Sequence, residues 1–181
     1  PLGLGHAIWC AREFIGNDPF AILLPDDVVQ SKKSCIGQLV EVYNKTGGNV
    51  LAVTEVPREQ TGSYGILDVG HDDGTTVEVK GLVEKPDPKD APSTLSVIGR
   101  YVLTADVLKH LAKLEKGAGG EVQLTDAMAK TIGHVPFHGF RYEGKRFDCG
   151  SKVGFLEAQI AFALEREELA GDVREFLKKY K

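Results

Sequence analysis

An α/β fold with a mostly parallel sheet is what this sequence predicts, and three observations carry it. Short unbroken apolar runs such as Phe20-Ala21-Ile22-Leu23-Leu24 read as strands buried on both faces. Segments of helical period alternate with these runs, which is the order that lays helices against a sheet. The 181 residues are 42% apolar and 27% charged, an ordinary globular mixture, long enough to bury a sizeable core. We read residues 1–181 as one domain, with 151–181 a C-terminal helical segment.

Taken in order, residues 7–14 are predicted as a helix after the Gly3-Leu4-Gly5 loop, with Trp9, Cys10 and Phe14 as packing residues. The run from Phe20 is stopped by Pro25, and Asp26-Asp27 follow. A helix over 36–45 ends at Gly47-Gly48, and a second buried strand covers 49–56. Residues 65–69 and 75–79 alternate in polarity about the turn Asp72-Asp73-Gly74, the pattern of an antiparallel hairpin. Pro86, Pro88 and Pro92 mark an irregular connection. A strand over 96–103 and a helix over 105–114 come next, then a loop at 117–120 and helical spacing over 121–132. Residues 135–142 alternate as a strand, with a turn at Glu143-Gly144. Near the C-terminus, Leu156, Ile160, Ala163 and Leu164 share one helical face. Asp172 and Glu175 are spaced as a capping box, ahead of an apolar repeat at Val173, Phe176, Leu177 and Tyr180.

Composition narrows the function classes. The formal net charge is −4, and no dense Lys/Arg cluster suggests a nucleic-acid surface. No apolar run approaches the roughly 20 residues that span a bilayer. Cys10, Cys35 and Cys149 are odd in number and lack CxxC spacing, which argues against a disulfide framework or zinc site and for a reduced, cytoplasmic setting. His6, His71, His110, His134 and His138 have no metal-ligand spacing.

Four places could carry chemistry. Asp26 follows a strand, where open α/β sheets place ligands. Its carboxylate could share a Mg²⁺ ion with phosphate oxygens, or serve as a helix cap or solvated turn. Asp148, before Cys149-Gly150-Ser151, stands at a strand-to-helix turn that could favour an anion. Glu84-Lys85-Pro86 offers a point charge for a phosphate and an acceptor for sugar hydroxyls, or a plain charged strand end. Pro86 is expected to hold Lys85 extended. Gly3 and Gly5, before a helix, would let backbone approach a ligand closely.

The order of these pieces is more telling than each alone. Gly3-Leu4-Gly5-His6-Ala7, Leu24-Pro25-Asp26-Asp27, Tyr64-Gly65, Val83-Glu84-Lys85-Pro86, Gly99-Arg100-Tyr101, Gly119-Gly120-Glu121-Val122-Gln123-Leu124-Thr125-Asp126-Ala127 and Asp148-Cys149-Gly150 run in sequence. This series resembles the bacterial UTP–glucose-1-phosphate uridylyltransferases over essentially the whole chain. Gln123-Leu124-Thr125-Asp126 with Asp148-Cys149-Gly150 points to the uridylyl branch.

The resemblance implies a Rossmann-like nucleotidyltransferase fold, a mixed sheet with flanking helices, and the formation of UDP-glucose and pyrophosphate from UTP and glucose 1-phosphate. It implies that Asp26 and Asp148 hold Mg²⁺ and that the Gly3 backbone lies against uracil. Glu84 and the Gly65 backbone would meet the glucose hydroxyls, Lys85 the sugar phosphate, and Val97 and Tyr101 would line the sugar pocket. Lys152 would add a phosphate contact. It also implies a homo-oligomer. Members of the family begin with a strand and a GxGTR-type loop, which this chain lacks. The expectation is therefore an N-terminally truncated domain, inactive without that loop. The alternatives are a related thymidylyl- or cytidylyltransferase and a non-catalytic sugar-phosphate-binding module.

Overall fold

The computed structural model describes residues 2–180; Pro1, which opens the Gly-rich start of the chain, lies outside them. The strands are β1 (Phe20–Leu23), β2 (Asp27–Gln30), β3 (Asn49–Glu55), β4 (Gly65–Asp72), β5 (Thr76–Glu84), β6 (Leu95–Leu103), β7 (Phe137–Arg141) and β8 (Lys145–Asp148). The helices are α1 (Leu4–Cys10), α2 (Arg12–Ile15), α3 (Cys35–Thr46), α4 (Asp106–Leu111), α5 (Leu124–Ala129), α6 (Lys152–Glu165) and α7 (Glu167–Leu177).

Six strands form one sheet in the order β1-β6-β3-β7-β5-β4, and β2 pairs with β8 in a separate two-stranded ribbon. The mixed sheet with flanking helices is as expected, but "mostly parallel" is not. Among the described residues, β3–β7 alone of the strand pairings runs parallel, while β6 runs against both β1 and β3. Apolar runs reveal burial and not direction. β6 returns beside β3 through the β4–β5 hairpin rather than through a helical crossover.

All nine residues of β6 are buried, so its two faces build two cores. Leu95, Val97, Tyr101 and Leu103 join Leu51 and Val53 of β3 and the α4–α5 layer. Ile98 and Val102 join Val50, Ala52 and the Leu39–Val42 side of α3. Ser34 caps α3 by accepting the Gly37 amide at 3.2 Å, and Gly47, at φ 66°, ends it. The hairpin turn forms where the sequence places it. Asp73 Oδ1 accepts the Thr75 and Thr76 amides, and Arg141 grips Asp72 through two bonds of 2.8 Å.

Four local expectations need correction. β1 is an edge strand, with Leu23 53% exposed, because its outer side has no neighbour among the described residues. Phe14, 94% exposed, and Cys10, also exposed, do not pack: Cys10 ends α1 on its open side, and Phe14 follows the break at Ala11. Asp172 and Glu175 cap nothing, since α7 already begins at Glu167. Its first turn carries Glu167 and Glu168, which suit the positive end of the helix. α6 does not pack by the face that bears Leu156, which is 58% exposed; the buried Ala158 lies roughly opposite it, on the side where Phe162 meets Phe147 of β8.

Candidate functional site

The ends of β1, β4, β5 and β8 converge with the middle of β6 on a cleft of about 400 Å³, closed on one side by the first turn of α5. Asp26 and Asp148 sit on its rim. Asp27 and Asp148 are register partners in the β2–β8 ribbon, and the Cys149 amide donates to Asp26 O at 2.7 Å. These bonds bring the two carboxylates to one place beside Gly150. A Cβ built there would stand 3.1 Å from Asp148 Oδ1 and 3.7 Å from Asp26 Oδ2. A side chain at this position would fill the space between the acids, so the glycine keeps it open.

Glu84 and Lys85 lie across the cleft, at the end of β5. The Glu84 side chain is 13% exposed, and its Oε2 accepts the Thr125 hydroxyl at 2.7 Å. Gly65 is its register partner, and a Cβ at Gly65 would come within 3.3 Å of that same oxygen. Lys85 is not extended: its φ is 47°, in the left-handed region. Its amide donates to Tyr64 O at 2.9 Å, a hold on the backbone that overrides the bias from Pro86. Such strain in a non-glycine residue is a feature of ligand sites, at about 1–3 kcal/mol. Lys85 Nζ is half exposed and 3.9 Å from Glu84 Oε1.

Val97 and Tyr101 face the cleft from β6. Burial holds the Tyr101 hydroxyl far above its ordinary value, and the negative charges of Asp27, Glu84 and Asp26 add to this, so it remains a neutral O–H. The cleft therefore brings together Asp26, Gly65, Glu84, Lys85, Val97, Tyr101 and Asp148. It does not include Gly3 or Lys152. Gly3, at φ 103°, precedes α1 and is packed against Val122, while the neighbouring Leu4 reaches the cleft. Lys152 is exposed, on the first turn of α6.

Sequence reasoning passed over Asp27, Tyr64, Thr125 and Arg146, all of which line the cleft. Thr125, Asp27 and Tyr64 stood inside the ordered motifs, and the signal for them was adjacency to a candidate. Nothing in the sequence marked Arg146, whose partner Asp27 is 119 residues away.

The chemistry of the cleft follows from its charges. Asp26, Asp27, Glu84 and Asp148 outnumber Lys85 and Arg146. A divalent cation fits the excess of carboxylate, and Mg²⁺ takes one or two carboxylates together with phosphate oxygens. Among the described residues no group of three or more His, Cys, Asp or Glu side chains is arranged for a metal, so the remaining ligands would come from substrate and water. Lys85 and the cation together suit a phosphorylated ligand; Glu84 and Thr125 suit hydroxyl groups.

Comparison with known proteins gives the family. The chain matches the family described as nucleotidyl transferase over residues 1–164. It is 96% identical over 151 residues to a UTP–glucose-1-phosphate uridylyltransferase of Komagataeibacter xylinus, covering 83% of this chain and 53% of that protein. It is 44% identical over 178 residues to the enzyme of the same name from Bacillus subtilis, covering 98% and 61%. Among solved structures, a UTP-bound UGPase from Acinetobacter baumannii matches with TM-score 0.88 and 37% identity, covering 100% of this chain and 63% of that one. A UDP-glucose pyrophosphorylase complexed with UDP-glucose matches with TM-score 0.85 and 38% identity, covering 91% and 63%. The chain thus spans between about half and three-fifths of its curated relatives, 53% and 61% in these two cases. With the match over residues 1–164 and a mixed sheet flanked by helices, the chain belongs to the nucleotidyl transferase family.

Proposed function

We propose that this chain carries the sugar-phosphate and metal side of a uridylyl-transfer site. A phosphate oxygen of glucose 1-phosphate attacks the α-phosphorus of UTP, the bond to the β-phosphate breaks, and UDP-glucose and pyrophosphate result. The relatives named for this activity and the UTP- and UDP-glucose-bound neighbours support the assignment of substrates. The observation that carries it is the placement of Glu84-Lys85 across one cleft from the converging Asp26 and Asp148.

In this reading Glu84, fixed by Thr125, accepts hydrogen bonds from glucose hydroxyls, and Gly65 leaves room for the ring. Val97 and Tyr101 form the floor, with the Tyr101 O–H as a donor. Lys85 supplies a positive charge to the sugar phosphate, and Lys152 a peripheral one; the Gly3 backbone lies toward the base. Asp26 and Asp148 would hold Mg²⁺, which when bound neutralises charge on the phosphates. No protein nucleophile is needed, because such transfers depend on alignment and charge neutralisation. The reading also takes 1–181 as one nucleotidyltransferase domain with 151–181 a helical extension. It assigns a cytoplasmic setting, consistent with three free cysteines and the lack, among the described residues, of a helix long and apolar enough to cross a membrane. It assigns small molecules rather than nucleic acid as ligands. A homo-oligomer is supported by exposed Val153 and Phe155 on α6.

Calorimetric titration of UDP-glucose, with and without Mg²⁺, tests the site directly. Lys85→Ala should weaken binding about tenfold or more, the loss of one charge-assisted phosphate contact of about 1.5–3 kcal/mol. UDP-glucose bound no better than free glucose would sink the proposal.

A further inference from the structure

Asp27 lines the cleft next to the proposed metal site, but both of its carboxylate oxygens are engaged by protein partners. Its carboxylate is 7% exposed for the whole residue and ties together three strands. Oδ2 accepts the Gly99 amide of β6 at 2.6 Å, and Oδ1 accepts Nε of Arg146 from β8. The Arg146 guanidinium lies over the Tyr64 ring, 5.5 Å from its centroid. The backbone repeats the tie: the Leu24 amide donates to Gly99 O at 2.9 Å, and Arg100 Nη1 donates to Leu24 O and Gly99 O at 2.8 Å each. Gly99 leaves no slack, since a Cβ there would stand 2.7 Å from Leu24 Cβ and 2.9 Å from Asp27 Cβ.

The segments joined in this way are the ones that deliver the site. Asp26 precedes Asp27, Asp148 is its register partner, and Val97 and Tyr101 flank Gly99. The β2–β8 ribbon has only four residue pairs, and a two-stranded ribbon by itself is marginal in water. Something besides its ladder must fix it to the sheet.

We infer that Asp27, with Arg146 as its counter-ion, is a positioning residue that sets the spacing of the Asp26 and Asp148 carboxylates. This rests on the proposed metal role of those two acids. With its oxygens bound to Gly99 and Arg146, Asp27 acts through the β2–β8 ribbon rather than as a ligand itself. A buried charge held by a cation and an amide suits such a role, because loss of either partner leaves the other uncompensated.

The test uses the chain with saturating UDP-glucose and Mn²⁺ as the probe ion, followed by electron paramagnetic resonance. Asp27→Asn preserves volume and an acceptor for the Gly99 amide but removes the charge. Arg146→Lys preserves charge but loses the planar fork, and carries the same test if Asp27→Asn fails to fold. Circular dichroism sets a temperature at which each variant is folded. Mn²⁺ affinity should fall at least about tenfold, the effect usual for groups that orient metal ligands. Metal-free affinity for UDP-glucose should fall clearly less than Mn²⁺ affinity does, because Glu84 is fixed by Thr125 and the Lys85 amide by the Tyr64 carbonyl, bonds that lie outside the ribbon. Unchanged Mn²⁺ affinity in a folded variant overturns the inference. A parallel fall in both affinities also overturns it, by reducing Asp27 to a general brace. A parent chain that binds UDP-glucose but no Mn²⁺ overturns the metal reading beneath it and leaves the sugar-phosphate reading standing.

Discussion

Replacing Asn49 with Leu should destabilise the fold by about 3 kcal/mol. Asn49, fully buried at the start of β3, joins two distant segments. Its Nδ2 donates to Thr131 Oγ1 at 2.9 Å, and its Oδ1 accepts the Thr104 amide at 2.8 Å. Leucine fills a similar volume and makes neither bond. Each neutral bond is worth about 1 kcal/mol, and an amide left facing an apolar group costs about 1–3 kcal/mol more. Thr131 suffers less, since its hydroxyl still donates to Met128 O at 2.7 Å. Urea titration of parent and variant measures the difference directly. The matching fall in midpoint temperature is roughly 6–12 °C for a chain of this size. Thr131→Val provides the partner for a double-mutant cycle, with an expected coupling of about 1 kcal/mol. A loss below 1 kcal/mol for Asn49→Leu, or a coupling near zero, would refute the reasoning that this junction is held by hydrogen bonds rather than by shape. The junction also bears on the site, because Thr131 closes the segment that begins with Thr125 and its bond to Glu84.

Other outcomes follow from single groups. Thr125→Val keeps the shape and removes the hydroxyl that fixes Glu84; affinity for UDP-glucose should drop about tenfold or more, by calorimetry, while the melting temperature moves little. His138, with a buried Nδ1 lacking a partner, is held below its ordinary value by burial, opposed by Glu78. The unfolded chain therefore binds the proton more readily, and the stability present above about pH 6.5 should decline as pH falls through the lower folded value. The difference in unfolding free energy between parent and His138→Phe, measured from pH 7.5 to 5, should shift in favour of the variant as pH drops; a flat difference would contradict this. Cys35, the buried first residue of α3, with its thiol pushed up to about 11 mainly by desolvation, should resist alkylation in the native state, whereas the exposed Cys10 should label quickly. Mass spectrometry with and without urea distinguishes them.

Much of the fold was legible because burial and turns write themselves locally. The Asp72-Asp73-Gly74 turn, the glycine stop of α3 and the apolar β6 all follow from neighbouring residues. Strand direction was not legible. It depends on what lies beside a strand, so β6 could not be read as running against β3. Exposure failed for the same reason at Leu23 and Phe14, which are apolar yet have nothing packed on them among the described residues. In the cleft, Asp26, Glu84, Lys85 and Asp148 were found because each stands at a strand end beside glycine or proline. Arg146 was missed because its meaning lies in Asp27, Tyr64 and the ribbon, none of them close to it in sequence. The Lys85 backbone was misread because proline's bias was applied without the Tyr64 carbonyl that outweighs it.

The position of β6 between the cleft and α3 makes residue parity a rule for change. Odd-numbered Val97, Gly99 and Tyr101 line the cleft, and even-numbered Ile98 and Val102 belong to the α3 core. Point substitutions at Val97 or Tyr101 can therefore alter the cleft without touching the α3 core behind, whereas Gly99, clamped against Leu24 and Asp27, admits no side chain. A single-residue insertion or deletion would exchange the two sets along the remainder of the strand, placing core side chains in the cleft and cleft side chains in the core. Divergence along this strand is confined to substitution; changes in length must occur in the connections on either side of it.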